Sequence, residues 1–127
     1  MRVFNALAIG VFSACLVGCG GGGNGGGGGG DAKAIKRGKA KFSTLCATCH
    51  GLLGTGMKDL GKDLTRSEFV QSETDEQLLA FIKVGRLPGD PLSDGKAAMP
   101  PKGGDPSLTD DQIRDIIAYV RSIQKTD

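Results

Sequence analysis

The sequence predicts an all-α domain of about four helices in its C-terminal part, residues 31–127. Two observations support this fold class. Apolar residues recur at three- and four-residue spacing in several stretches, which is the period of one helix face. Residues typical of helix N-caps precede these stretches. No stretch is predicted to be a strand.

The first helix is predicted over about Ala32 to Leu45, with Asp31 as its N-cap. Its buried face is expected to contain Ile35, Gly38, Phe42 and Leu45. A short second helix is predicted after Thr65, where Glu68 would complete a capping box.

The third helix is predicted from Thr74, its N-cap, with Gln77 three residues later, and it should end at Gly85. Its apolar side comprises Leu78, Leu79, Phe81 and Ile82. The last helix should run from about Asp110 to Gln124. Its capping box is Thr109 with Gln112, and its apolar stripe is Ile113, Ile116, Ile117, Val120 and Ile123. Between the last two helices lies a proline-rich segment, residues 86–108, and structureless segments of this length are usually functional.

The N-terminal segment, residues 1–18, is predicted to be a signal peptide. Met1-Arg2 gives a positive start, and Val3 to Val17 is apolar but too short to span a membrane. The ending, Leu16-Val17-Gly18-Cys19, resembles the bacterial lipobox. This resemblance implies that Cys19 becomes the lipidated N-terminus, while Cys15 leaves with the leader.

Residues 19–30 are predicted to form a tether, since all residues from 20 to 30 are glycine except Asn24. Such a chain behaves as a flexible coil with an end-to-end distance of about 18 Å. It would hold the domain of residues 31–127 near a membrane while allowing that domain to turn.

The charge is nearly balanced, with a formal net charge of +2 at pH 7. A nucleic-acid partner is therefore not expected, because such partners usually select a strongly basic face. A basic run in the first helix is interpreted as a solvated helix face: Lys33, Lys36, Arg37, Lys39 and Lys41.

The sequence Cys46-Ala47-Thr48-Cys49-His50 is the attachment motif of c-type haem. The two thiols bond covalently to the vinyl groups on one edge of the porphyrin, and the adjacent imidazole binds iron from one face. A structural zinc site would need four ligands, whereas the domain offers two cysteines and one histidine. A thioredoxin-like dithiol would need a βαβ context, and no strand is predicted here. Gly51, Gly54 and Gly56 follow no strand, so they do not indicate a nucleotide site.

With this motif, residues 32–124 resemble the class I cytochrome c family. The resemblance rests on Cys46 to Gly51, on Gly54, Gly56 and Gly61, on Gly85-Arg86, on Met99-Pro100-Pro101 and on Tyr119. It implies a small cytochrome c fold wrapped round one covalently bound haem c with its iron. It also implies that the first and last helices cross, with Gly38 and Phe42 against Ile116 and Tyr119.

One position departs from the family pattern. The family often has a proline just after the glycine at Gly61, and the carbonyl of that proline accepts the proton of the ligand histidine. This chain has Lys62 there. The carbonyl that orients His50 should therefore come from Lys62 or from a neighbour.

The sixth iron ligand is expected to be Met99. His50 is the only histidine, so a second histidine ligand from the same molecule is excluded. Met57 follows His50 by about 25 Å of fully extended chain and would have to pass round the ring edge. Met99 has no such restriction, and it stands where the family places its axial methionine.

Histidine with methionine predicts a one-electron carrier rather than an enzyme. The alternative is a haem enzyme or ligand sensor, peroxidase-like, with a displaceable Met99. A non-haem thiol or binding module is a third reading. The predicted setting is an electron-transfer chain on the periplasmic side or the outer cell surface, because c-type haem is attached outside the cytoplasm. The partners would be a redox donor and acceptor, themselves membrane-associated.

Overall fold

The computed structural model describes residues 31–91, 93 and 97–125. This part contains five α-helices and one 3₁₀ turn: α1 (Ala32–Leu45), α2 (Ala47–His50), α3 (Glu68–Ser72), α4 (Asp75–Val84), the turn Pro101–Gly104 and α5 (Asp110–Ser122). Its only β-type pairings are two isolated bridges, so the all-α prediction is confirmed. The predicted leader and tether, with Cys19, lie outside the described residues. No helix in the described ranges is both long and apolar enough to cross a membrane.

Side-chain caps begin the helices largely as the sequence predicts. Asp31 accepts a hydrogen bond at the start of α1. Both predicted capping boxes form, that of Thr74 with Gln77 at α4 and that of Thr109 with Gln112 at α5. In each box the hydroxyl and the amide side chain satisfy backbone N–H groups that have no partner within the helix.

The start of α3 differs from the prediction. Ser67, not Thr65, is the N-cap, and its side chain accepts a hydrogen bond from Val70 N–H at 3.3 Å. The hydroxyl of Thr65 donates instead to Asp63 Oδ1 at 2.7 Å. The N–H of Thr65 donates to the same carboxylate oxygen, so both groups hold Thr65 in a turn ahead of the helix, and the N-cap is the hydroxyl residue two positions later.

The helices α1 and α5 cross at very short range, as the resemblance implied. A Cβ atom added to Gly38 would lie 1.8 Å from the carbonyl oxygen of Asp115, so only glycine permits this approach. Next to it the rings of Phe42 and Tyr119 pack with centroids 5.1 Å apart. Arg37 forms a bidentate ion pair with the Asp115 carboxylate, at 2.6 and 2.7 Å. The crossing therefore combines backbone contact, an aromatic pair and a salt bridge.

The hydrophobic core lies between these two helices and α4. Its buried members are Phe42, Ala47, Val70, Leu78, Leu79, Leu108, Ile113, Ile116, Ile117, Tyr119 and Val120. They include part of each predicted apolar face of α1, α4 and α5. Four further predicted residues pack against this core and are only partly buried, namely Ile35, Leu45, Ile82 and Ile123. The guanidinium of Arg121 ties the short α3 to α5 by donating to the carbonyls of Val70 and Glu73 and to the Asp75 carboxylate.

We predict that Gly38→Ala lowers the free energy of unfolding by about 2 kcal/mol, because the added methyl group must push α1 away from α5. Helix propensity alone would raise the free energy of unfolding by about 1 kcal/mol. Denaturant unfolding of the haem-loaded protein, followed by circular dichroism, shows whether the substitution lowers or raises that free energy. Ala40→Gly, at an exposed position of α1, measures the propensity term on the same helix. A stabilised Gly38→Ala protein would show that the crossing is not tight.

Candidate functional site

A cleft of about 700 Å³ opens beside the core. All four predicted cofactor-binding residues line it, namely Cys46, Cys49, His50 and Met99. The rest of its wall is largely apolar and includes Phe42, Leu45, Leu64, Phe69, Leu78, Phe81, Ile82, Leu108, Ile116, Ile117 and Val120. A large apolar slot with a few polar groups is typical of a cofactor site.

The attachment motif forms a helical turn of its own, α2, which the sequence did not indicate. The chain remains helical through Cys46, whose N–H donates to the carbonyl of Phe42 at 2.9 Å, and α2 ends at Gly51, where φ is +75°. In a helical turn, residues three and four positions apart share a face. Cys46, Cys49 and His50 have this spacing, so the two thiols and the imidazole all reach the cleft.

The loop of residues 51–64 folds back against α2. Gly56 N–H donates to the carbonyl of His50 at 2.8 Å, and Leu64 N–H donates to the carbonyl of Gly54 at 2.7 Å. Gly54 and Gly56 have φ values of +71° and +81°, the left-handed region that glycine adopts without strain. The loop is therefore pinned beside the histidine.

This loop supplies the hydrogen-bond partner of His50. The imidazole Nδ1 lies 2.9 Å from the carbonyl oxygen of Lys62 and can donate to it, which leaves Nε2 free to bind a metal. Because only the backbone carbonyl is used, lysine can occupy the position where the family often has proline. A Cβ atom on Gly61 would lie 2.3 Å from the carbonyl oxygen of Cys49, so glycine lets the loop approach this closely.

The thiol of Cys46 lies in an apolar wall of the cleft. Burial raises the pKa of Cys46 to about 11, and the neighbouring Cys49 adds to the increase.

Met99 reaches the cleft from the proline-rich segment. Its N–H donates to the carbonyl of Arg86 at 2.9 Å, and its carbonyl accepts from Arg86 N–H at 2.8 Å. Gly85, with φ of +74°, allows this pairing, since a Cβ atom there would lie 2.2 Å from the Met99 carbonyl oxygen. The end of α4 thus holds the backbone of Met99 in place.

Met57 also lines the cleft. It belongs to the loop that carries Lys62, its N–H donates to the carbonyl of Gly61 at 2.8 Å, and it is 47% exposed. Met99 is half-buried. The structure therefore brings both thioethers to the site, on two segments that are anchored differently.

One residue of the wall, Arg86, was given no role in the site from the sequence, although it belongs to the Gly85-Arg86 pair that contributes to the resemblance. The guanidinium carbon of Arg86 lies 4.9 Å from the ring centroid of Phe69 and 4.6 Å from that of Phe81. The only local signal was its position directly after Gly85 at the end of a helix. Nothing in the spacing along the chain indicates that two rings from two helices meet there.

Two thiols, an imidazole and a thioether in one apolar cleft fit covalently bound haem c. The fold and this site define a small, all-α c-type cytochrome. The family model for cytochrome c matches residues 35–124, more than half of the chain. The chain therefore belongs to the cytochrome c family and is a class I c-type cytochrome that carries haem c with its iron.

Solved structures show the same likeness. Cytochrome CL from the marine methylotrophic bacterium Methylophaga aminisulfidivorans MPT is 29% identical with a TM-score of 0.57, over 75% of this chain and 56% of that one. The chain thus spans little more than half the length of that structure. A second structure, the KustC0563 c-type cytochrome, is 20% identical with a TM-score of 0.48, over 69% of this chain and 98% of that one. No curated protein matches the sequence.

We predict that Gly61→Ala raises the reduction potential. The new methyl group would push Lys62 away from α2 and weaken its hydrogen bond to His50, so the imidazole would donate less charge to oxidised iron. Loss of an interaction of about 1 kcal/mol corresponds to a shift on the order of 40 mV for one electron.

A spectroelectrochemical titration measures this shift. Gly89→Ala is the control for adding a methyl group to a loop glycine, because a Cβ atom at Gly89 would meet nothing within 4 Å. An unchanged potential in Gly61→Ala, or an equal shift in Gly89→Ala, would contradict the role given to the Lys62 carbonyl.

Proposed function

We propose that this protein is a one-electron carrier in which Cys46 and Cys49 hold the haem and His50 and Met99 bind its iron. When bound, haem supplies the Fe(II)/Fe(III) couple. The observation that carries the proposal is that one cleft contains an imidazole with Nδ1 held by Lys62 and a thioether whose backbone is paired with Arg86.

This ligand pair suits electron transfer. A neutral thioether from Met99 would favour ferrous iron and raise its reduction potential, and iron held by both His50 and Met99 would have no site left for oxygen or peroxide. Both ligand-bearing segments are held by backbone hydrogen bonds. Pro100 and Pro101 stiffen the chain after Met99, because each has a fixed φ and Pro100 keeps Met99 out of the helical region. Little rearrangement should therefore accompany a change of oxidation state.

We further propose that the protein is exported and lipid-anchored through Cys19, on the periplasmic side of a membrane or on the outer cell surface. The lipobox-like ending of the leader and the glycine run support this. The first helix, α1, has its N-cap at Asp31, the residue directly after that run. The tether would let the cleft turn towards donors and acceptors in or near the same membrane.

The partners are proposed to be redox proteins that are recognised at short range. Exposed apolar residues of the loop after the motif border the attachment turn, including Leu52, Leu53 and Leu60. Lys58 and Lys62 alternate with Asp59 and Asp63 there. Lys96 and Asp94, which the sequence places in the other loop, lie outside the described residues. Mixed charge of this kind gives weak long-range steering.

The ligand assignment predicts that Met99→Ala removes the weak sulfur–iron absorption band at the red end of the oxidised spectrum. It should also lower the reduction potential and open the iron to carbon monoxide. The matched control is Met57→Ala, which should change none of the three. Absorption spectra with and without carbon monoxide, and a redox titration, measure all of them.

The reverse result, with the band lost only in Met57→Ala, would move the assignment to Met57. If the wild-type protein itself bound carbon monoxide readily, a ligand-binding enzyme or sensor would replace the carrier.

The anchor predicts that Cys19→Ala shifts the protein from the membrane fraction to the soluble fraction, or leaves it unprocessed. Anchoring by two or more acyl chains is stable, so nearly all of the wild-type protein should sediment with membranes. Fractionation and intact-mass measurement test this, with Cys15→Ala as the matched control. Equal membrane association and mass for wild type and Cys19→Ala would exclude lipidation at this residue.

A further inference from the structure

We propose that Arg86 is the positioning residue for the sulfur ligand: its guanidinium, held by Phe69 and Phe81, fixes the backbone that holds Met99 in the haem cleft. This inference rests on the proposed function, in which Met99 binds iron. It adds a reason why the sulfur should stay bound, and it assigns that role to a side chain that does not touch the iron.

The side chain of Arg86 is well enclosed. It is 13% exposed, and its guanidinium carbon lies within 5 Å of both ring centroids, at 4.9 Å for Phe69 and 4.6 Å for Phe81. The two rings meet edge to face, with centroids 5.0 Å apart. Asp90 adds a long ion pair, with Oδ2 3.8 Å from Arg86 Nε. A cation over two aromatic rings and largely removed from water is a strong form of this contact.

The two rings come from different helices. Phe69 is in α3 and Phe81 is in α4, while Arg86 follows α4 by two residues. The guanidinium therefore joins both helices to the start of the proline-rich segment. Rotating the backbone at Arg86 would pull the cation from between these helices, so the contact restricts the direction in which the chain leaves α4.

That direction matters because both backbone polar groups of Met99 are paired with Arg86, at 2.8 and 2.9 Å. The backbones of Gly85 and Met99 also approach closely, since a Cβ atom on Gly85 would lie 2.2 Å from the Met99 carbonyl oxygen. A change in the orientation of Arg86 would thus be passed directly to Met99. The two rings hold the guanidinium of Arg86. The backbone of Arg86 holds the backbone of Met99, which in turn positions the thioether.

Loss of the cation should therefore increase the population in which the sulfur has left the iron. Added imidazole reports on this population, because it binds oxidised iron only where Met99 has been displaced. Its apparent affinity rises in proportion to the fraction of protein that is open to it. This measurement is made on the folded, haem-loaded protein.

The test is an imidazole titration of oxidised Arg86→Gln, followed at the sulfur–iron band. We expect the apparent affinity to rise about 10-fold, which corresponds to about 1.4 kcal/mol and lies within the range of a desolvated cation–π contact. The control is Arg37→Gln. Arg37 also joins two helices, but its bidentate partner is Asp115 of α5, away from α3, α4 and Met99. This variant should lower the unfolding free energy slightly and leave the imidazole affinity unchanged.

A double-mutant cycle tests whether Arg86 and Phe81 act through the same contact, so that the conclusion does not depend on one variant. Phe81→Leu should also raise the imidazole affinity. If the ring and the cation act through one contact, Arg86→Gln with Phe81→Leu should bind imidazole little more tightly than either single variant. Additive effects, or an Arg86→Gln affinity within twofold of wild type, would overturn the inference.

Met99→Ala separates this inference from the proposed function. It should bind imidazole more tightly than every other variant, because no sulfur competes. If it binds no more tightly than wild type, Met99 is not the ligand and the proposed function itself fails. If it does bind more tightly while Arg86→Gln matches wild type, only the role of Arg86 is lost.

Discussion

The close crossing of α1 and α5 is the contact on which the rest of the structure depends. Its geometry follows from the missing side chain at Gly38, which lets the α5 backbone at Asp115 approach to a distance that any Cβ atom would prevent. The last residue of α1 leads directly into Cys46. The crossing therefore sets where the attachment turn lies relative to α5, and Ile116 and Val120 of that helix form part of the cleft wall.

The cleft explains how so small a domain can be stable. A folded part of fewer than about 100 residues buries a small share of its surface, and small domains often depend on a cofactor or metal. Here a space of about 700 Å³ lies against Leu78, Leu108 and Ile117, which are also core residues. Haem that fills this space completes the core. The covalent links keep haem on the unfolded chain as well, so it stabilises the fold because only the folded chain buries it against these core residues and removes it from water.

The two side chains that are proposed to bind iron reach the site by different means. His50 is held locally, by a loop that returns within fourteen residues and offers the Lys62 carbonyl at 2.9 Å. Met99 is held by a contact with Arg86, thirteen positions earlier in the chain. The hydrogen bond that holds His50 starts from the covalent attachment turn itself, so it is hard to change without altering that turn. The contact that holds Met99 depends on how α3 and α4 pack, so the affinity of iron for sulfur can be adjusted without altering the histidine side.

The sequence by itself determined the class of chemistry and the helices, because both are encoded in residues close together in the chain. Cysteine and histidine spacing specifies haem attachment, and hydroxyl residues followed by glutamine specify the starts of α4 and α5. Local patterns did not decide between two candidate caps: Thr65 bonds to Asp63, and Ser67 is the N-cap of α3. Only the tertiary structure identified the Lys62 carbonyl as the partner of His50 and brought the two rings to Arg86. These contacts join residues from separate segments, and their geometry follows from how the helices pack. Helix packing of this kind cannot be read from the spacing of residues along the chain.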